Sequence, residues 1–214
     1  VGDIFQEIDE EVRRDRLHKV WKDYGGYIIA GVVSIVLGVS ASVGWREYYK
    51  QRQEADSDRF VEATALAASG KSAEAAAAFQ ALSGEAADGY ALFARFRAAN
   101  ALKDSGDIDG AVQVFEGIGA DSAVDDLYRD LATLLAIMHT IDSGDPEAMR
   151  ARLMPLLADN AVWRHSAREL SGALALRRGD RELAKTEFQK LADDLLAPPG
   201  ARARATEILQ SLGD

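Results

Sequence analysis

The chain has 214 residues, of which 35 are Asp or Glu and 25 are Lys or Arg, so its formal net charge is −10 at pH 7. The absence of cysteine excludes disulfides, a thiolate nucleophile and Cys-ligated zinc. The acidic balance leaves no broad basic surface, so we expect no nucleic-acid partner. Long alanine-rich stretches with only four prolines predict an all-α fold.

The first predicted element is an N-terminal tail over residues 1–23. Apolar residues recur in it at helical spacing, and 12 of the 23 residues are charged. We expect an amphipathic helix that forms against the membrane surface or a partner, with a solvated, partly disordered arm as the alternative. The apolar positions are Ile4, Ile8 and Val12, then Leu17, Val20 and Trp21 on a shifted stripe.

Residues 24–45 form an apolar stretch of 22 residues with no charge and no proline. As a helix they would extend about 33 Å, enough to cross a hydrocarbon core of about 30 Å. Tyrosines and tryptophans stand at both ends, as they do at membrane interfaces. The sequence therefore predicts a transmembrane helix. The alternatives are a buried helix of a soluble protein and a signal peptide cleaved after Val39-Ser40-Ala41.

The charges around this span favour a cytoplasmic N-terminus only slightly. Five Lys and Arg precede the stretch, and four follow it closely. Within the span, small residues recur every four positions and would form one stripe for close packing against another helix. Small residues are also simply common in membrane helices. The stripe consists of Gly26, Ala30, Ser34, Gly38 and Ser42.

Residues 46–214 are predicted to form one domain of helical repeats. The spacing G-x4-A-x3-F occurs three times, with a weaker fourth copy, and the glycines are 36, 38 and 35 residues apart. This period is close to the 34 residues of tetratricopeptide repeats. Glycine would end the first helix of each pair, and the alanine would allow a close helix crossing. The copies are Gly70-Ala75-Phe79, Gly106-Ala111-Phe115, Gly179-Ala184-Phe188 and the weaker Gly144-Met149-Leu153.

The repeat template places an apolar set of side chains on the concave face of two neighbouring first helices. Such a face commonly receives a peptide or a helix, so the set is a candidate partner-binding groove. The alternative is that the C-terminal helices bury these residues as core. The groove consists of Phe93, Phe96, Asn100 and Lys103 from one helix, and Leu134, Met138 and Ile141 from the next.

Catalytic chemistry is not indicated by the sequence. The three histidines, His18, His139 and His165, are scattered and form no H-E-x-x-H motif. Adjacent acidic pairs such as Asp125-Asp126 do not share a helix face. No glycine-rich phosphate loop occurs, so we expect no enzyme, no metal site and no cofactor.

The tail DIFQEIDEEVRRDRL, the span that opens with YGGY and the four degenerate repeats together resemble the single-span ancillary subunit of the bacterial Sec translocon. This resemblance implies an inner-membrane protein with a cytoplasmic tail and periplasmic repeats. It also implies association with the translocon and with a membrane-anchored periplasmic chaperone.

The function predicted from the sequence is a membrane-anchored protein-interaction scaffold. The alternative is a membrane-spanning regulator whose cytoplasmic tail is the effector arm and whose repeats sense an external ligand.

Overall fold

The computed structural model describes the backbone of residues 3–86 and 88–213, and the side chains of residues 18, 19, 21–86 and 89–213. Within these ranges the chain is helical and contains no strand, which confirms the all-α prediction. The helices are α1 (Asp3–Ala68), α2 (Ser72–Glu85), α3 (Asp88–Asp104), α4 (Ile108–Gly119), α5 (Asp126–Thr140), α6 (Pro146–Leu153), α7 (Arg164–Arg177), α8 (Arg181–Asp193) and α9 (Pro199–Leu212), with a 3-10 helix at Met154–Leu157.

The contacts divide the chain into two compact units, Val1–Ala55 and Asp56–Asp214, and α1 has residues in both. In the first unit the tail backbone is helical from Asp3. Its predicted apolar stripe rests on Ile4, Ile8, Val12, Leu17 and Val20, whose side chains lie outside the described residues. The predicted domain boundaries at 23/24 and 45/46 stay predictions.

One described helix segment, Trp21–Ala68, is long and apolar enough to cross a membrane by length and composition. None of its most apolar window is buried. Its large side chains are exposed along the whole predicted span, from Tyr24 to Trp45. The segment is therefore a candidate membrane span.

The second unit is a row of four helix pairs followed by α9. Pair 1 is the end of α1 with α2, pair 2 is α3 with α4, pair 3 is α5 with α6, and pair 4 is α7 with α8. The core consists of four hydrophobic clusters, and each joins one pair to the first helix of the next pair. In the last cluster α9 packs against pair 4 as the first helix of a following pair would. This nearest-neighbour burial is the packing of a helical-repeat solenoid.

In pairs 1, 2 and 4 a glycine follows the first helix at the turn, as predicted. Gly106 has φ +92°, a left-handed conformation that side chains rarely adopt, and Gly70 and Gly179 have φ +79° and +78°. Asp107 then caps α4, because its Oδ1 accepts a hydrogen bond of 2.9 Å from Gly110 N. Asp145 and Asp180 cap α6 and α8 in the same way.

Pair 3 departs from this pattern at its turn. Gly144 is not among the glycines with positive φ, so this turn does not use the left-handed conformation found in the other three pairs. Instead, Met149 Cε occupies the space that a Cβ on Gly144 would need. The other pairs have a small alanine at the position of Met149, and this longer side chain fills the turn.

The alanine and the aromatic of each repeat copy lie in the core. Ala75, Ala111 and Ala184 are fully buried, and so are the phenylalanines that follow each of them. In pair 3 Met149 and Leu153 are buried at the same positions. Burying one such large side chain contributes roughly 1.5–3 kcal/mol, so these positions hold each pair together.

Candidate binding cleft on the first-helix face

The first helices of successive pairs lie beside one another along the second unit. Helix α5 contacts α7, and α7 contacts α9. We call the surface formed by the end of α1 and by α3, α5, α7 and α9 the first-helix face. The predicted groove residues lie on α3 and α5, and Ile141 is the residue that caps the C-terminus of α5.

The structure distributes the seven predicted groove residues between surface and core. Phe93 and Met138 are 51% and 45% exposed, whereas Phe96 and Leu134 are only 9% and 4% exposed. Asn100, Lys103 and Ile141 are partly buried. The Phe96 ring lies 6.1 Å from the ring of Phe115, inside the core cluster of pair 2. A continuous groove over both helices therefore stays a prediction.

A cleft of about 420 Å³ opens between α5, α7 and α9. Two of its lining residues, Leu134 and Met138, belong to the predicted groove. The predicted groove did not include Leu131 and Leu135 of α5, or any residue of α7 and α9. The full lining is Leu131, Leu134, Leu135, Met138, Trp163, Ser166, Glu169, Leu170, Ala173 and Arg204.

An aromatic residue lies at or near the start of each first helix in pairs 2, 3 and 4. Tyr90, Tyr128 and Trp163 each stand 16 positions before the turn glycine of their pair. Tyr90 packs edge-on against Phe60, and Tyr128 against Phe93, with ring centroids 6.0 Å apart in each case. Each of these two tyrosines thus contacts the first helix of the preceding pair. This shared spacing was a usable sequence signal that the sequence reasoning missed.

The family model for the tetratricopeptide repeat-like domain matches residues 18–210. The chain belongs to this family. No curated protein and no solved structure matched the chain. Helix-pair repeats of this kind build extended surfaces for protein partners, which makes the chain a protein-interaction scaffold.

Three polar side chains in the cleft of this tetratricopeptide repeat-like unit are already hydrogen-bonded. Arg204 donates from Nε and Nη2 to the two carboxylate oxygens of Glu169, at 2.6 and 2.9 Å. This hydrogen bonding raises the pKa of Arg204. Trp163 donates from Nε1 to Leu127 O at 2.8 Å. The charges in the lining therefore cancel, and the indole N–H is already used.

Two ion pairs join a first helix to the C-terminal end of the second helix of the same pair. Arg59 pairs with Glu85 at 2.7 Å, and Arg95 with Asp121 at 2.8 Å, each across 26 positions. The hydrogen bond from Arg95 lowers the pKa of Asp121. These exposed or half-exposed pairs contribute little individually, but their shared spacing marks the repeat register.

The histidines of the tetratricopeptide repeat-like chain occupy separate places. His18 is exposed on α1, His139 stacks on Phe115 with ring centroids 5.9 Å apart, and His165 Nε2 lies 2.8 Å from Asp194 Oδ2. The contact with His165 lowers the pKa of Asp194. Among the described residues, no group of three or more His, Asp or Glu is arranged to hold a metal ion.

The predicted stripe of the span is exposed at every position: Gly26, Ala30, Ser34, Gly38 and Ser42. A Cβ added to Gly26 or Gly38 would meet no atom within 4 Å. Packing within the described chain therefore does not require glycine at either position.

Proposed function

We propose that the chain is a membrane-anchored interaction scaffold that serves as an ancillary subunit of the bacterial Sec translocon. Its tail lies in the cytoplasm, its span crosses the inner membrane once, and its repeats lie in the periplasm beside a membrane-anchored chaperone. The observation that carries this proposal is the reach of the family match. The match begins at residue 18, before the apolar stretch, and continues through the repeats to residue 210. The same family model therefore covers the candidate span and the repeat domain.

The exposure of the candidate span supports membrane insertion. Tyr27, Ile35 and Leu37 belong to a run of apolar side chains that is exposed along the predicted span. Soluble monomers seldom expose a contiguous apolar surface of this extent. A bilayer removes this surface from water, and the helix satisfies its own backbone hydrogen bonds there.

The small-residue stripe supports a helical partner within the membrane. Glycine costs about 1 kcal/mol relative to alanine in a helix, and no contact in the described chain requires it at Gly26 or Gly38. Close approach of another membrane helix would account for both positions. The partner proposed here is a translocon helix.

The test is affinity purification of the full chain from membranes in a mild detergent. We expect the channel subunits of the translocon and a membrane-anchored chaperone to co-purify. Gly38→Leu should reduce their recovery, whereas Gly44→Leu should not. Gly44 also has no atom within 4 Å of an added Cβ. It follows Ser42 by two positions, which places it on the opposite side of the helix from the stripe, so it is a matched control.

Recovery of neither component would overturn the proposal. Recovery of a transcriptional or signalling protein through the tail would instead favour the regulator described from the sequence. Equal recovery by the Gly44 and Gly38 variants would remove the stripe from the proposal.

A further inference from the structure

We infer that the cleft between α5, α7 and α9 receives large apolar side chains from an amphipathic α-helix of a partner protein, rather than an extended peptide. The inference rests on the proposed scaffold function and names the kind of segment that the scaffold binds. It follows from the size of the cleft, from its apolar lining and from the hydrogen bonds that its polar groups already make.

The size of the cleft suits side chains and not a whole structural element. Its volume of about 420 Å³ lies near the lower end of the range of about 300–1,000 Å³ for ligand pockets. A helix backbone would therefore lie across the opening and insert a few side chains. The walls that these side chains would meet are Leu131, Leu134, Leu135, Met138, Leu170 and Ala173.

An extended peptide needs more hydrogen-bond partners than this cleft offers. Each residue of an extended segment brings a backbone N–H and C=O, and burying them unpaired is costly. The Glu169 carboxylate and the Arg204 guanidinium already bind each other through two hydrogen bonds. The Trp163 N–H is bound to Leu127 O. Among the lining side chains this leaves the exposed hydroxyl of Ser166 and the remaining N–H groups of Arg204, whose side chain is more than half exposed, so few partners remain for a peptide backbone.

A helix does not have this requirement because its backbone groups bind one another. It can offer an uncharged stripe at spacings of three and four residues, which suits a lining whose two charges cancel. The α5 wall has the same spacing, with Leu131, Leu134, Leu135 and Met138 along one side, so ridges of two helices can interdigitate there. Met138 is 45% exposed, and its flexible side chain can adapt to different partner residues.

The experiment uses two photo-reactive peptides that have the same residues apart from a staple, namely leucines in a glutamine background with one diazirine leucine analogue. One has about 15 residues with leucines on one face, and the staple holds it helical because isolated helices of this length are marginally stable in water. The other alternates leucine and glutamine, as an extended strand would. Neither peptide is charged, so attraction to the acidic chain does not contribute. After illumination with the full chain in detergent, mass spectrometry locates the adducts.

We expect adducts on the cleft residues from the helical peptide, and at least about tenfold fewer from the alternating peptide. Met138→Lys should reduce the cleft adducts about tenfold or more because it places a charge in an apolar cleft. Met154→Lys is the matched control, since Met154 is 54% exposed and lies outside the cleft. Ala173→Leu, which fills the cleft without a charge, is a second blocking variant.

Equal cleft labelling by the two peptides would overturn the inference, and so would equal labelling of the Met138 and Met154 variants. Absence of cleft adducts, while translocon subunits still co-purify with the chain, overturns the inference and leaves the proposed function standing. Cleft adducts without co-purification of translocon subunits support the inference and overturn the translocon assignment instead.

Discussion

Gly172 on α7 lies directly against the ring of Phe188 on α8. A Cβ built on Gly172 would stand 2.8 Å from both Cε2 and Cζ of that ring, closer than real Cβ atoms approach. Gly172 precedes the turn glycine of its pair by seven positions, and pairs 1 and 2 have the buried residues Ala63 and Ala99 there. At this crossing the phenylalanine therefore occupies the volume that an alanine side chain takes in those pairs.

We predict that Gly172→Ala destabilises the chain although alanine is the better helix former. The helical preference favours alanine by about 1 kcal/mol, whereas overpacking a buried contact costs about 1–3 kcal/mol. The measurement is thermal melting of the full chain in detergent, followed by far-UV circular dichroism. Gly117→Ala is the control, because an added Cβ there meets only Arg95 Nη2 at 3.7 Å. That variant should be neutral or more stable by up to about 1 kcal/mol. Stabilisation by both changes would contradict the close crossing.

The repeat architecture could be predicted from the sequence because each signal was local. A glycine with φ +92° at position 106, the cap from Asp107 and the buried ring of Phe115 all lie within one turn and the helix after it. The same spacing returns along the chain, and repetition turns a weak local pattern into a fold prediction. Pair 3 was harder because Met149 replaces the alanine and changes the role of Gly144.

The candidate site was only partly predictable, because it depends on how neighbouring helices meet. Phe93 and Phe96 are three residues apart on one helix, yet only Phe96 lies against Phe115. The cleft also needs Arg204 on α9, 35 positions after Glu169. Spacing within one helix carries no information on which later helix closes a cleft.

Phe93 and Phe96 give a matched test of surface against core. We predict that Phe96→Asp greatly lowers the melting temperature, because an unpaired carboxylate would enter the core cluster of pair 2. Phe93→Asp should change the melting temperature little, since its ring is half exposed and packs edge-on against Tyr128. Melting of both variants by circular dichroism compares them directly. Similar losses in the two variants would show that Phe93 belongs to the core as well.

His139 gives a prediction about the pH dependence of stability. Partial burial, followed by the nearby Lys103 charge, lowers the pKa of His139 below its ordinary value of about 6.5. The unfolded chain then binds a proton more readily than the folded chain. The stability contributed by neutral His139 is thus present above about pH 6.5 and is lost as the pH falls through the lower folded pKa.

The corresponding measurement is the melting temperature of the full chain between about pH 7 and about pH 5. His139→Gln should reduce the fall in melting temperature on acidification. His18→Gln, at an exposed position of α1, should keep the wild-type fall and is the matched control. An unchanged fall in the melting temperature of the His139 variant would show that other groups cause the loss of stability at low pH.

The absence of cysteine permits a direct test of topology with single introduced thiols. We predict that Ser122→Cys, at an exposed position between α4 and α5, reacts with a membrane-impermeant maleimide once the outer envelope is opened. Gln6→Cys in the tail should react only after the inner membrane is opened, because the proposed tail is cytoplasmic. Ser34→Cys in the span should stay unlabelled until detergent removes the bilayer, since hydrocarbon excludes the reagent. The reverse order for positions 6 and 122 would contradict the orientation, and a soluble labelled fragment that starts near Ser42 would indicate a cleaved signal peptide instead of an anchor.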